Sequence, residues 1–546
     1  MFGGLEVLLL RDIPLLLFLG TAFGLLILPP YWMGQPSSKK RWTLRSLLLL
    51  FLSLIWIGGV VIGMYVLVMF VIPPFSLSPQ TTYLMEPRSK EFYGIDYAAY
   101  IERQIDPGAP PEENGFRLLT DTFGRPFFDD IKNEHWNRLC EYLDLPTEIE
   151  PTLTFTDFWE YSQTLPLEKQ EIVKTFYREQ DSLLSDEAVP IVARWLDESD
   201  AALDLFIAAI QMPVLYIPPM FGTELINTLL YCDNTCRRMA RELQIRIRYR
   251  LTVGEIDEAW DDVLAIYRLS EQHRRTGWNA ISSLVNTSIV DRANRSAESV
   301  LLHSVWDSNE VRRKAEEIVP FLQPFHDDEI RKCLLNERLT ALDSIHRFAD
   351  GTGFDFLIEK EPPPETFEDF FKRRAIRFCR LGLTMIEINQ YFDEMELWFF
   401  SNAPKPDDHW TFNTYEFLKL FAWYGRNGAI GVAIGRMLSG ILSPAIDAWR
   451  TSLQTRRVNV SLTHLVFALE TYRRDKGGYP DALDALREGY IAEVPLDPFS
   501  GEALRYVKED EKYLLYSVGP NGIDDEGRNH SDEPKGDDIR RGELPQ

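Results

Sequence analysis

The chain is short of positive charge. Its 58 Lys and Arg stand against 83 Asp and Glu in 546 residues, a formal net charge of −25. Residues 1–74 hold five of the basic and two of the acidic residues, which leaves the rest at −28. Such a field repels phosphate backbones, so no nucleic acid is expected as a partner. Cysteine is scarce too. Cys140, Cys232, Cys236, Cys333 and Cys379 are odd in number and irregular in spacing, which excludes a disulfide framework. Cys232 and Cys236 lie one helical turn apart, but no histidine or second cysteine pair stands near them to complete a zinc site, and they read as small buried apolar groups. HExxH, G-x-S-x-G, Walker A and GxGxxG are all missing, and no small-molecule substrate is identifiable.

Charge is absent altogether from two runs. Ile13–Met33 is apolar apart from a threonine and small residues, and Ser46–Pro73 contains no charged side chain. A span needs about 20 apolar residues, so both are expected to be transmembrane helices. A signal peptide fits the first run less well, because Met1–Leu10 contains Glu6 and no basic residue, and no small-residue cleavage site precedes Pro29 and Pro30. Lys39, Lys40, Arg41 and Arg45 crowd the connecting loop and keep it in the cytoplasm, with both termini outside. Trp32 and Trp42 flank that loop at interface positions. Gly20 with Gly24, and Gly59 with Gly63, let the two helices approach closely.

What remains is rich in structure-forming residues: 45% are hydrophobic and 12% aromatic, so the body is globular. The expected fold is mostly α. A transmembrane hairpin occupies 1–74, a proline-containing tether 75–90, an irregular α-helical domain 91–426, and a small α+β module 427–546. Ile256, Trp260, Val263 and Tyr267 recur at 4, 3 and 4, one apolar helix face, with Glu255, Asp257, Glu258, Asp261 and Asp262 in its first turns where the dipole favours acids. Leu243–Leu251 alternates apolar residues with Gln244, Arg246, Arg248 and Arg250. Its helical surroundings make it a helix, and the arginines read as a solvated face paired with the surplus acids. Glu337, Arg338, Asp343 and His346 stand within three helical turns. They form either an internal ion pair between packed helices or, in an extracytoplasmic hydrolase, a site.

Beyond Asn427 the text changes. An apolar run, Ala429–Ile446, contains Pro444 and Arg436. A helix follows with Leu465, Leu469 and Tyr472 on one face, terminated at Gly477–Gly478. Ala503–Val507 and Tyr513–Ser517 read as two strands. The loop from Ser517 to Asp538 offers Asp524, Asp525, Asp537 and Asp538, the Asn521 side chain, and carbonyls freed by Gly519, Gly522 and Gly527. Calcium takes six to eight hard oxygen ligands in flexible geometry, which such a loop can supply. An acidic tail without fixed structure fits the same composition.

The order of these pieces resembles the type II secretion major pseudopilin, a relative of type IV pilins. Tyr472, Asp475, Gly477, Tyr479 and Pro480 match the family's turn after its long helix, and Asp497 and Pro498 follow. Ser517, Gly519, Gly522, Asp538 and Ile539 match its calcium loop. Asn521 stands where the family has Asp, and the family's processed leader does not precede this helix. The resemblance covers about 120 residues. It implies a small antiparallel sheet and calcium as cofactor, with Asp538, Asp524, Asp525, Asn521 and Ser517 as candidate ligands. The expected protein is therefore non-enzymatic. It is anchored in a bacterial inner membrane with its body in the periplasm, and has protein partners associated with secretion.

Overall fold

The computed structural model describes residues 51, 53, 55–61, 63, 75–90, 94–128, 131–178, 183–220, 225–228, 230–350, 380–401, 403–406 and 414–542. They are mostly helical, with one small sheet. The run Ile13–Met33 lies outside the described residues, and of Ser46–Pro73 the described ones are helical. The longer helices used below are α1 (Val189–Gln211), α2 (Tyr231–Val253), α3 (Ile256–Thr276), α4 (Ala280–His303), α5 (Asp327–Asp350), α6 (Leu381–Phe400) and α7 (Thr414–Lys476). The strands are β1 (Arg505–Glu509), β2 (Lys512–Ser517) and β3 (Ile539–Gly542).

Contacts divide the chain into two units, each assembled from separated segments. One comprises Met1–Tyr97, Thr340–Met395 and Lys405–Gly440; the other comprises Ala98–Leu339, Glu396–Pro404 and Ile441–Gln546. The division falls within α5, α6 and α7.

In the larger unit, α2, α3 and α4 pack on one another around the stripe read from the sequence: Trp260, Val263 and Tyr267 are fully buried. Gly254, with φ of +89°, caps α2 in the left-handed region and turns the chain into α3. Asn279 opens α4 by accepting the Ser282 N–H. Leu243–Leu251 is helical, as expected, but Arg246 and Arg248 are buried rather than solvated. Arg246 is buried between Asp262, Asp200 and Asp204, at 2.7–3.0 Å. Arg248 lies 4.0 Å over the Phe176 ring and donates to the Phe176 carbonyl. The alternation that suggested a wet face places these long side chains between helices, where acids and an aromatic ring satisfy them.

In the smaller unit, α6 meets the start of α7 through small residues. Thr384 Oγ1 donates to the Gly431 carbonyl at 2.7 Å. A Cβ on Gly431 would lie 2.6 Å from the Arg380 carbonyl oxygen, and one on Gly435 2.7 Å from Glu387 Cβ. Arg436, the charge inside the apolar run, donates to Glu387 at 3.0 Å. Among the described residues, Asn427–Lys476 is long and apolar enough to cross a membrane by length and composition, yet 44% of its most apolar stretch is buried within the protein.

The α7 helix continues through Pro444 and stops at Gly477, whose φ is +81° and whose N–H still reaches the Arg473 carbonyl. Its Leu465 and Leu469 enter one hydrophobic cluster that also takes in Phe116, Phe206, Trp260 and Leu515. The sheet is antiparallel in the order β1-β2-β3, with Glu509 opposite Lys512 across a turn in which Asp510 has φ of +44°. β3, which periodicity did not reveal, pairs with β2 from Ser517 opposite Ile539 to Leu514 opposite Gly542.

Candidate metal centre and the cleft beside it

The loop between β2 and β3 is folded by its own carboxylates. Asp538, buried at 2% exposure, accepts the N–H groups of Gly527 at 2.7 Å and Asp525 at 3.1 Å through Oδ2. Asp537 Oδ2 accepts the Asn521 N–H at 2.9 Å, and Asp525 Oδ2 accepts the Asp537 N–H at 3.3 Å. Glycine is required where the turns close. Gly519 has φ of +69°, and a Cβ there would lie 2.2 Å from the Asp537 carbonyl oxygen. Ligand atoms of Asp525, Asp537 and Asp538 come within 4.8 Å of one another.

Three carboxylates at this distance repel, and the protein leaves part of the repulsion unanswered. Asp537 Oδ1 and Asp538 Oδ1 are buried without a hydrogen-bond partner. Burial, opposed by the Gly527 N–H and reinforced by Asp525 and Asp524, pushes the Asp538 carboxyl up to about 6. Buried hard oxygens without donors suit a divalent cation, so the residues present fit a metal of the calcium or magnesium type.

The five residues singled out from the sequence separate here. Asp538 and Asp525 enter the trio. Asn521 borders it, giving its backbone N–H to Asp537 and placing Nδ2 3.5 Å from Asp525. Asp524 faces the sheet instead: it accepts from Tyr516 Oη at 3.0 Å and lies 3.7 Å from Arg505. Ser517 gives its hydroxyl to Asp497 at 2.9 Å, and that buried carboxylate also holds the Val518 N–H. Asp537, adjacent to Asp538, was among the acids the loop offered and completes the trio.

Beside the trio is a cleft of about 830 Å³, lined by β3, by Asp537 and Asp538, by one face of α4, and by Thr455 and Asn459 of α7. Arg541 ties its floor together, with Nε close to Glu298 on α4 and NH2 3.4 Å from Asn459 Oδ1.

The residues suggested for hydrolysis are engaged otherwise. Glu337 is half-buried and accepts the Ala280 N–H at 2.9 Å. His346 stacks on Phe75 at 4.7 Å and accepts the Ile95 N–H, and burial holds it down to about 3, neutral near pH 7. Asp343 is buried 3.9 Å from Arg347, one turn along α5. In comparisons with known proteins, no family model, no curated protein and no solved structure matches the chain.

Proposed function

We propose that this chain is a non-enzymatic, membrane-anchored protein with its body outside the bacterial cytoplasm. Its C-terminal region acts as a pseudopilin-like interaction or assembly module in protein secretion and carries calcium. The observation that supports this best is the succession of parts after Asn427: a long helix with an internal proline, a small antiparallel sheet, and a loop whose Asp525, Asp537 and Asp538 converge. The resemblance to type II secretion major pseudopilins leads one to expect those parts in that order. Asp525, Asp537 and Asp538 would hold the ion, whose charge lets three carboxylates share one loop. Anchoring rests on the two uncharged runs, and orientation on the four basic residues between them. Among the described residues no observation favours the hydrolase reading: burial leaves its histidine a very weak base, and its glutamate accepts the first N–H of α4.

The test has two arms. A reporter active only outside the cytoplasm is fused after Gln546 or near Ser38; activity at the first position and silence at the second is expected, and the reverse pattern refutes the orientation. Cross-linking of the full chain in native membranes is expected to recover secretion-apparatus components with calcium and to lose them in Asp538→Ala. The same neighbours in both samples would sink the proposed role of the module.

A further inference from the structure

All four residues of β3 line the cleft. Among the described residues, no strand pairs with its outer edge. The opposite wall is one face of α4, where Asp291, Arg295, Ser299 and Leu302 recur at three- and four-residue intervals. The eleven steps from Asp291 to Leu302 span about 16 Å at the helical rise, the length of roughly five extended residues. A groove of that length between an edge strand and a helix matches an extended peptide. The peptide's main chain can pair with the edge while alternate side chains face the helix.

Charge narrows the kind of peptide. Arg295, Lys512, Arg540 and Arg541 line the cleft, against Asp291, Glu298, Glu511, Asp537 and Asp538, so the wall is one charge negative. A divalent cation at the trio, counted together with its third carboxylate Asp525, brings the sum to zero and removes the repulsion an acidic segment would meet. Three carboxylates also leave calcium short of its usual six to eight oxygens. The two partnerless oxygens belong to Asp537 and Asp538, the members of the trio that line the cleft. An incoming carboxylate supplies oxygens that the ion lacks.

We infer that the cleft between β3 and α4 is a docking groove for an extended acidic segment of a protein partner. The segment pairs with β3 through its main chain, and the ion at Asp525, Asp537 and Asp538 holds it. This rests on the calcium reading of the loop and adds what reaches it.

The full chain in detergent is titrated with a fluorescein-labelled peptide of alternating valine and aspartate, about eight residues long to overfill the groove, in calcium chloride or EGTA. Calcium binding is measured separately by calorimetry without peptide. The Val–Asp peptide is expected to bind about tenfold or more tighter in calcium than in EGTA, and about tenfold tighter than Val–Asn or Val–Lys peptides. Methylating its alternate backbone nitrogens should weaken it comparably. Ser299→Trp fills the groove on the helix side, away from the trio, and should abolish peptide binding while leaving the calcium heat unchanged. Calcium heat accompanied by equal binding of the Val–Asp and Val–Lys peptides overturns the groove alone. Absence of calcium heat overturns the metal reading, and the groove with it.

Discussion

Arg541 on β3 holds its Nε 2.5 Å from Glu298 Oε2 on α4, and both side chains are nearly withdrawn from water. Thr463 of α7 donates to the same carboxylate, so one buried acid joins two helices and the last strand. Burial raises the Glu298 pKa, and Arg541 opposes that rise. Arg541→Ala leaves the acid without its cation and is expected to cost about 3–5 kcal/mol in denaturant unfolding. Adding Glu298→Gln to that variant should recover part of the loss, because an uncharged amide tolerates the site. Losses that simply add would show that the two groups act independently.

Calcium at saturation is expected to raise the unfolding midpoint of the full chain relative to EGTA. At a hundredfold excess over the dissociation constant, linkage gives about 2.7 kcal/mol. Asp538→Asn and Asp525→Asn should erase the difference, whereas Asp524→Asn, which touches Tyr516 and Arg505 instead, should preserve it. Equal midpoints in wild-type protein would remove calcium from the account.

Calcium affinity should also depend on pH through Asp538. Its carboxyl sits at about 6 in the folded chain, above the ordinary aspartate value. The protonated acid therefore contributes stability that is fully present below about pH 4 and lost as pH rises through 6. The ion requires the ionised form, so affinity should fall about tenfold from pH 7 to pH 5. Calorimetry at the two values checks this; a flat profile would place the titrating group elsewhere.

Gly431→Ala should destabilise the chain even though alanine is the better helix former. The gain of about 1 kcal/mol in propensity is outweighed by a methyl group set against the Arg380 carbonyl, where overpacking costs about 1–3 kcal/mol. Gly478→Ala, at a position with open space and ordinary φ, is the control and should be neutral in the same thermal unfolding measurement.

The helical character of the body was legible because apolar spacing survives in single stretches such as Ile256–Tyr267. Turn chemistry likewise marked the end of α7 at Gly477. β3 was not legible: Ile539–Gly542 is four residues long and half arginine, and it becomes a strand by pairing with β2. Asp525 and Asp538 could be found from the density of acids in the loop. The turning away of Asp524 and Ser517 could not, since it depends on Tyr516 and Asp497 meeting them in three dimensions. The burial of Arg246 was hidden for the same reason: Asp200 and Asp204 come from α1, far away in sequence.

Leu465, Leu469 and Leu515 share a core with Phe116 and Phe206. The last 90 or so residues therefore do not form a cassette that recombination could lift into another gene. Cut free, they would carry one half of an interior and expose it. A homologue that lost them would have to repair the other half, so the two stretches of sequence are expected to change together or not at all.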